Sequence, residues 1–241
     1  IEDVDILRAV SGADKEILNA LESHGLHWDG EVVYQSQREA LYQHTLQQLE
    51  KRDLIYYCNC SRKALRLVGP TYPGTCRQHR RVDYQPATRE QVASHAIRFD
   101  TRQFNSDIRW KDRLLGQVSF APDKLGDFII RRRDSLFAYQ LAVVADDIDQ
   151  QVTQVVRGQD LLDSTPWQIM LYDALEEKPP HYAHLPLICK ANDTAKLSKQ
   201  SGAKPVDNRL ASANLLQILD WLGQNTSCLL YTSPSPRDRF L

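Results

Sequence analysis

The sequence of 241 residues has no apolar run near the roughly 20 residues that a helix needs to cross a bilayer, so no membrane span is expected. Residues 1–5 have neither the basic start nor the apolar stretch of a secretory signal peptide. They also include no initiating methionine, and we expect a fragment truncated at its N-terminus. Without a membrane span or a signal peptide, a cytoplasmic protein is expected.

The sequence also has no excess of charge of either sign: it contains 30 lysines and arginines and 31 aspartates and glutamates, for a net charge of -1. No overall field therefore attracts a polyanion. Arginines cluster at positions 77, 80 and 81 and at 131–133, where they either form a phosphate-binding face or lie in solvated turns. The 42% hydrophobic and 25% charged content is that of an ordinary globular protein.

Cysteine is scarce, but three of the five cysteines, Cys58, Cys60 and Cys76, fall close together. Without secretory features, disulfides are not expected, which leaves a metal site or free thiols. A tetrahedral zinc site needs a fourth ligand, and the candidates are Tyr72 and His79. His79 is the ordinary choice chemically, whereas Tyr72 would have to bind through its phenolate oxygen. Residue types alone leave both open.

Apolar residues at helical spacing predict four helices, with Ser11 and Asp14 marking one start and Ser36 and Glu39 forming a capping box at another. The predicted helices cover residues 11–24, 36–53, 164–175 and 208–222. Short apolar and β-branched runs predict strands. The predicted strands cover residues 54–57, 96–99, 108–110, 117–120, 127–130, 138–144, 152–156 and 185–189. Strands that alternate with helices predict an α/β fold with a mostly parallel sheet.

A polar loop with two lysines follows the last predicted strand and has the sequence KLSKQ, residues 196–200. A loop that leaves a buried strand can hold a lysine against a polyphosphate and stabilise the charge that develops when a phosphoanhydride breaks. Lysine-rich pentapeptides are also common on solvated surfaces. The loop is therefore a candidate nucleotide-binding element.

Six segments occur along the chain in a characteristic order: residues 1–5 with Arg8, 25–30, 35–38, 137–147, 156–161 and 184–187. Together they resemble the glutamyl-tRNA synthetases. The 196–200 loop is similar to the KMSKS signature of that family, with Leu197 and Gln200 as departures. The resemblance covers residues 1–205 and implies a Rossmann-like class I synthetase catalytic domain with an inserted zinc-binding subdomain.

Within that family, residues 28–32 and 35–38 and the spacing of the cysteines resemble the glutamyl-queuosine tRNA(Asp) synthetases, a short branch without an anticodon-binding domain. The resemblance implies one Zn²⁺ held by Cys58, Cys60, Tyr72 and Cys76, and so favours Tyr72 over His79. It also implies ATP with Mg²⁺, L-glutamate and queuosine-bearing tRNA(Asp) as substrates, and a monomer. The alternative is a truncated glutamyl- or glutaminyl-tRNA synthetase that charges the tRNA 3′ end.

The same resemblance implies residue roles. Lys199 would bind the ATP phosphates with support from Lys196 and Ser198. Glu2 would accept the ammonium of glutamate, Arg157 would pair with a substrate carboxylate, and Tyr139 would hydrogen-bond the amino acid. The plainer interpretations are a core position for Tyr139, a loop cap for Arg157 and a frayed terminal charge for Glu2. The adjacent carboxylates at 146 and 147 are left out, because neither reaction step needs acid–base catalysis.

The predicted organisation has four parts. Residues 1–57 and 101–205 form the catalytic domain, 58–100 the inserted zinc-binding subdomain, 206–227 a helical segment and 228–241 a non-native tail. In the family, the segment before the present residue 1 carries the first strand and part of both substrate pockets. We therefore expect this chain to be inactive until that segment is restored. A further alternative is an RNA-binding or tRNA-chaperone module that is stabilised by zinc and does not activate glutamate. The lysine loop argues against it, because RNA binding alone does not need a lysine at a phosphate-cleavage site.

Overall fold

The computed structural model describes residues 1–67, 69, 71–78, 95–189, 196 and 205–224. The chain divides into two compact units. The smaller unit comprises residue 1, residues 8–33 and the chain from 189 onward, and the larger unit comprises residues 2–7 and 34–188. The four-part domain division expected from the sequence stays a prediction, and the tail at 228–241 lies outside the described residues.

Seven helices and seven strands are assigned within the described ranges. The helices are α1 (Ala13–Ser23), α2 (Glu39–Lys51), α3 (Arg62–Leu67), α4 (Pro122–Leu125), α5 (Tyr139–Asp149), α6 (Thr165–Ala174) and α7 (Ala211–Trp221). The strands are β1 (Ile55–Cys58), β2 (Ala96–Phe99), β3 (Ile108–Asp112), β4 (Gly116–Phe120), β5 (Ile129–Arg131), β6 (Gln154–Gly158) and β7 (His181–Leu185). All four predicted helices are confirmed, with ends that differ by a few residues.

The described strands of the larger unit form three sheets. Antiparallel pairing joins β1, β2 and β5 in that order, and β3 pairs with β4 in an antiparallel hairpin. Only β6 and β7 are parallel among the described strands. The prediction of a mostly parallel sheet is therefore wrong for these residues. The order of elements along the chain could not reveal this, because strands distant in sequence pair according to tertiary packing.

Two strand predictions are wrong. Residues 139–144 belong to helix α5 and Ala138 is its N-cap; the helix buries Leu141, Ala142, Val144 and Ala145 on its inner side. A continuous apolar run suits a buried helix as well as a buried strand, so periodicity could not separate them. The strand expected at 185–189 ends at Leu185, and the buried residues of β7 lie before that point.

Two expected side-chain caps, at Ser11 and Ser36, are also wrong. Helix α1 begins after Gly12, which has a φ of 81°, and no side chain caps its first turn. At α2, the Ser36 hydroxyl donates instead to Asp3 Oδ2 at 2.6 Å, and the N-cap residue is Arg38. Ser36 therefore ties the segment 2–7 to the start of α2 within the larger unit.

The core of the larger unit lies between its helices and the antiparallel sheet. Helix α2 contributes Tyr42, Leu46 and Leu49 at helical spacing, and α5 packs against both α2 and α6. Other core residues that are almost fully buried are Phe99, Ile130, Leu141, Val144, Met170 and Leu171. This packing holds α5 in place, and the candidate site is built at the first turn of α5 and at the ends of β6 and β7.

In the smaller unit, α1 contacts the 3₁₀ turn Asn208–Leu210, which leads into α7. The Asn214 side-chain amide lies 3.0 Å from His24 Nε2 and donates to the Asp207 carbonyl at 3.1 Å.

Of the helices that the structure describes, none has the length and apolar character to cross a membrane.

Candidate active site and metal centre

Strands β6 and β7 bring Arg157 beside His184. Their parallel register pairs these two residues directly, near the carboxyl ends of both strands. Arg157 Nε donates to His184 Nε2 at 3.2 Å, and the guanidinium carbon lies 5.1 Å from the centre of the Tyr182 ring. Two residues of β7, Tyr182 and His184, therefore both contact the guanidinium of Arg157.

A buried polar chain continues from His184. The Thr165 hydroxyl, at the start of α6, accepts from Arg157 Nη2 at 2.7 Å and lies 3.0 Å from His184 Nε2. His184 Nδ1 lies 2.6 Å from Asp112 Oδ2, and both of these side chains are fully buried. Burial alone would raise the pKa of Asp112, but hydrogen bonds from His184 and from the backbone of Leu114 and Leu115 lower it to about 2.

The three residues expected to bind glutamate lie together. Tyr139, the first residue of α5, accepts a long hydrogen bond of 3.4 Å from Arg157 Nη1. Burial raises the pKa of Tyr139, the charge of Glu2 raises it further and Arg157 opposes both. Glu2 keeps solvent exposure, yet desolvation by the surrounding protein raises its pKa, and the positive charges of the amino terminus and of Arg157 oppose the rise. Tyr139 and Arg157 thus both lie within the electrostatic influence of Glu2.

The adjacent carboxylates of α5 have different surroundings. Asp146 accepts from Gln35 at 2.8 Å and from Tyr42 at 3.0 Å, and it forms an ion pair with Arg38 at 3.2 Å. It therefore joins α2 to α5, which is a structural role. Asp147 accepts from the Tyr172 hydroxyl at 3.2 Å. Burial, with the charge of Asp146, raises the pKa of Asp147 to about 6, although the Tyr172 hydrogen bond lowers it.

The cysteine cluster has the geometry of a closed metal site. The Sγ atoms of Cys58, Cys60 and Cys76 all lie within 4.8 Å of one another. Tyr72 Oη is 3.5 Å from the sulfurs of both Cys58 and Cys60. Tetrahedral zinc with ordinary bond lengths separates two sulfurs by about 3.8 Å and a sulfur from an oxygen by about 3.5 Å. The donor set therefore fits zinc, while His79 lies outside the described residues.

The surroundings of the cluster favour thiolate at one position. Burial raises the pKa of Cys60, but hydrogen bonds involving Thr75, Tyr72 and the other two thiols outweigh it and lower the pKa to about 7. Burial raises the pKa of Tyr72 and of Cys76. The Arg98 guanidinium stacks over the Tyr72 ring at 3.7 Å, so the phenol is oriented from its face as well as its hydroxyl.

The lysine loop is described only at its start. Lys196 forms an isolated antiparallel bridge with Cys189 in the smaller unit, and its side chain is exposed. Ser198 and Lys199 lie outside the described residues. The role expected for this loop therefore stays a prediction.

Some residues of the candidate site were not predicted from the sequence. Asp112, Thr165 and Tyr182 carry no motif, and they contact Arg157 directly or through His184 because of folding across long stretches of chain. His184 lies in a segment that resembled the family, but no role was assigned to it. A signal was present, since a polar residue near the end of a buried strand has to find a partner.

Comparison with known proteins matches residues 1–214 to the family described as "tRNA synthetases class I (E and Q), catalytic domain". The chain is 44% identical to the glutamyl-Q tRNA(Asp) synthetase of Idiomarina loihiensis, over 97% of this chain and 79% of that protein. It is 45% identical to the protein of the same name from Vibrio cholerae, over 92% of this chain and 70% of the relative.

Among solved structures, the chain is similar to a glutamate tRNA ligase from Elizabethkingia meningosepticum in complex with its amino acid. The TM-score is 0.70 at 27% sequence identity, and the match covers 84% of this chain but only 45% of the ligase. The mixed α/β architecture is thus the class I catalytic fold. The chain belongs to the class I tRNA synthetase family for glutamate and glutamine, a family of ligases, as its ordered motifs had predicted.

Proposed function

We propose that the protein activates L-glutamate with ATP and transfers the glutamyl group to queuosine in the anticodon of tRNA(Asp). The observation that carries this proposal is the grouping of Arg157, Tyr139 and Glu2. A guanidinium and a carboxylate at one place suit a substrate with charges of both signs. The names of the relatives, at 44 and 45% identity, supply the tRNA and its modified base.

Glutamate recognition follows from the chemistry of these side chains. The guanidinium of Arg157 donates two parallel hydrogen bonds to a carboxylate, which orients the amino acid as well as neutralising it. Glu2 accepts the α-ammonium, and the Tyr139 hydroxyl bonds the amino acid beside Arg157. Because Arg157 is already supported by His184 and Thr165, little conformational entropy is lost when the substrate binds.

In the first step, an α-carboxylate oxygen of glutamate attacks the α-phosphorus of ATP, and pyrophosphate leaves. Catalysis consists mainly of positioning and of stabilising the charge on phosphate oxygens. We assign the cationic part of this task to Lys199, supported by Lys196 and Ser198, with Mg²⁺ on the phosphates. This assignment comes from the resemblance of the loop to the family signature.

In the second step, a hydroxyl of the queuosine cyclopentene ring attacks the carbonyl carbon of glutamyl-adenylate. The new ester bond forms, AMP leaves with the electron pair of the anhydride bond, and the hydroxyl proton is lost to solvent. Neither step needs a protein general acid, and Asp146 is engaged by Gln35, Tyr42 and Arg38.

The proposed role of the cysteine cluster is to bind a structural Zn²⁺. Cys58, Cys60, Tyr72 and Cys76 would hold the ion in a closed four-coordinate site, and its contribution would be to stabilise the fold of this segment. Support comes from the distances among the four donor atoms.

Replacing Tyr72 with phenylalanine is expected to weaken zinc binding by at least about 10-fold, since even the loss of an outer-shell partner costs that much. Zinc bound per chain, measured after dialysis against a weak chelator, checks this. Tyr57→Phe is the matched control, because its hydroxyl contacts Glu50 at 3.4 Å instead of the thiols. Zinc lost with His79→Ala and kept with Tyr72→Phe would reverse the assignment.

Charging assays with the complete gene product test the proposed function. We expect ATP-dependent attachment of glutamate to queuosine-modified tRNA(Asp) and none to the same tRNA without the modification. Attachment to unmodified tRNA(Glu) at its 3′ end would contradict the proposal and favour the alternative function. That alternative, a glutamyl- or glutaminyl-tRNA synthetase, draws on the breadth of the matched family and on the similar solved ligase.

A further inference from the structure

The chain of hydrogen bonds behind Arg157 has a fixed direction. An arginine can only donate, so His184 Nε2 must accept from Arg157 Nε at 3.2 Å. The ring proton then sits on Nδ1 and is donated to Asp112 Oδ2 at 2.6 Å. Asp112 in turn is anchored by the backbone N–H groups of Leu114 and Leu115, each at 3.0 Å from Oδ1. The chain thus selects one histidine tautomer.

The same contacts decide which edge of the guanidinium is free. Nε and Nη2 are engaged by His184 and the Thr165 hydroxyl, which both lie along one edge. Nη1 makes only the long contact of 3.4 Å to Tyr139. Within the described part of the chain, the outer edge, formed by the remaining N–H groups of Nη1 and Nη2, keeps donors that no hydrogen bond engages. That edge has the shape that a carboxylate accepts in a bidentate pair.

Burial makes this arrangement stiff. Asp112 and His184 have no exposed side-chain surface, and Thr165 is also fully buried. Hydrogen bonds are stronger electrostatically where water is excluded, and a buried network that is fully satisfied rigidifies its members. Residues so far from solvent do not touch the substrate, so any effect on it passes through Arg157.

We propose that Asp112 and His184 are positioning residues that hold the Arg157 guanidinium with its outer edge turned toward the substrate carboxylate. The aspartate selects the Nδ1–H tautomer of His184, and the histidine offers Nε2 as the acceptor that orients Arg157. This rests on the proposed function only in the identity of the carboxylate. The orientation of Arg157 by a histidine tautomer is independent of that identity.

The kinetic test uses Asp112→Asn, which keeps the size of the side chain. Its amide can donate to His184 Nδ1, which moves the ring proton to Nε2 and points it at the guanidinium. Loss of a hydrogen bond to a charged group predicts a rise of about 10- to 100-fold in KM for glutamate, with KM for ATP changed less than about twofold. Glutamate-dependent ATP–pyrophosphate exchange by the complete gene product gives both constants.

Substitutions at His184 add a rescue. His184→Gln keeps an acceptor close to the place of Nε2 and should retain much more glutamate affinity than His184→Leu. The matched control is Asp107→Asn, which lies just before β3 and takes part in an exposed ion pair with Arg109. Asp112→Asn with an unchanged KM for glutamate, or with equal rises in both constants, would overturn the proposal.

A spectroscopic test separates this proposal from the proposed function. Nitrogen NMR of ¹⁵N-histidine-labelled protein should find His184 protonated on Nδ1 in the unsubstituted protein and on Nε2 in Asp112→Asn. If the proton is on Nε2 of His184 in the unsubstituted protein, Asp112 and His184 do not position Arg157 as proposed, and this conclusion holds whether or not the protein is active. If Arg157→Lys leaves KM for glutamate unchanged, the proposed substrate role of Arg157 fails instead, and the tautomer alone then decides the positioning chain.

Discussion

Replacing Arg157 with alanine is expected to lower kcat/KM for glutamate activation by at least about 100-fold, because truncating one partner of a buried, hydrogen-bonded charge pair costs several kcal/mol. The substitution removes the group that would pair with the substrate carboxylate. It also leaves the Nε2 atom of His184 without its arginine donor. Pyrophosphate exchange at varied glutamate, with the complete gene product, measures the effect.

Two further variants sharpen this result. Arg157→Lys keeps the charge but cannot form two parallel hydrogen bonds, so an intermediate loss is expected. Arg109→Ala removes an arginine of β3 whose side chain is 72% exposed, and exchange should stay as in the unsubstituted protein. An Arg157→Ala protein with unreduced kcat/KM would refute the assigned role of this residue.

The second large effect concerns stability and centres on Asp127. Its carboxylate is completely buried and accepts from Arg77 Nε at 2.6 Å, from Thr101 Oγ1 at 2.9 Å and from the Tyr56 hydroxyl. Replacing it with asparagine removes the closest carboxylate partner of Arg77, which is 26% exposed and keeps Asp100 at 3.9 Å, and it weakens the other hydrogen bonds of a buried carboxylate. Breaking a fully buried pair costs about 3–5 kcal/mol, so a loss toward the lower end of that range is expected. Urea unfolding followed by circular dichroism should therefore show a much lower midpoint.

Asp107→Asn serves as the comparison in the same unit, because Asp107 pairs with Arg109 at an exposed site and its loss should leave the midpoint unchanged. Equal midpoints for the two variants would show that the Asp127 network does not stabilise the fold.

The effect of Asp127→Asn should depend on pH. Burial alone would raise the pKa of Asp127, but hydrogen bonds from Arg77, Tyr56 and Thr101 lower it below the usual value. A lowered pKa in the folded state adds stability that is complete above the unfolded pKa of about 3.9 and is lost as the pH falls through the folded value. The difference between the unsubstituted protein and the variant should therefore shrink below about pH 4.

Local spacing predicted the helices well and their caps badly. Tyr42, Leu46 and Leu49 recur at helical intervals, and burying them needs no knowledge of the rest of the chain. Ser36 had the spacing of a capping residue, yet its hydroxyl bonds Asp3, which approaches from another segment. Residues 138–144 were misassigned because an apolar run has the same appearance in a buried helix and in a buried strand.

The candidate metal site shows what the sequence could predict and what it could not. The spacing of Cys58, Cys60 and Cys76 indicated a metal site, and family resemblance singled out Tyr72 over His79. The arrangement of the donor atoms could not be predicted, because Tyr72 reaches the sulfurs only through the turn that brings residues 72–76 against β1.

From the order of its motifs, the amino-acid sequence alone determined the family. Residue identity and spacing also gave the expected donors of the proposed zinc site and the arginine expected to meet the substrate. These features need only residue identity and spacing along the chain. The tertiary structure decided which atoms meet. The register of β6 on β7 sets Arg157 beside His184, and folding brings in Asp112 from 72 residues away. Hydrogen-bond geometry between such distant residues depends on the packing of the whole unit, which no local pattern encodes.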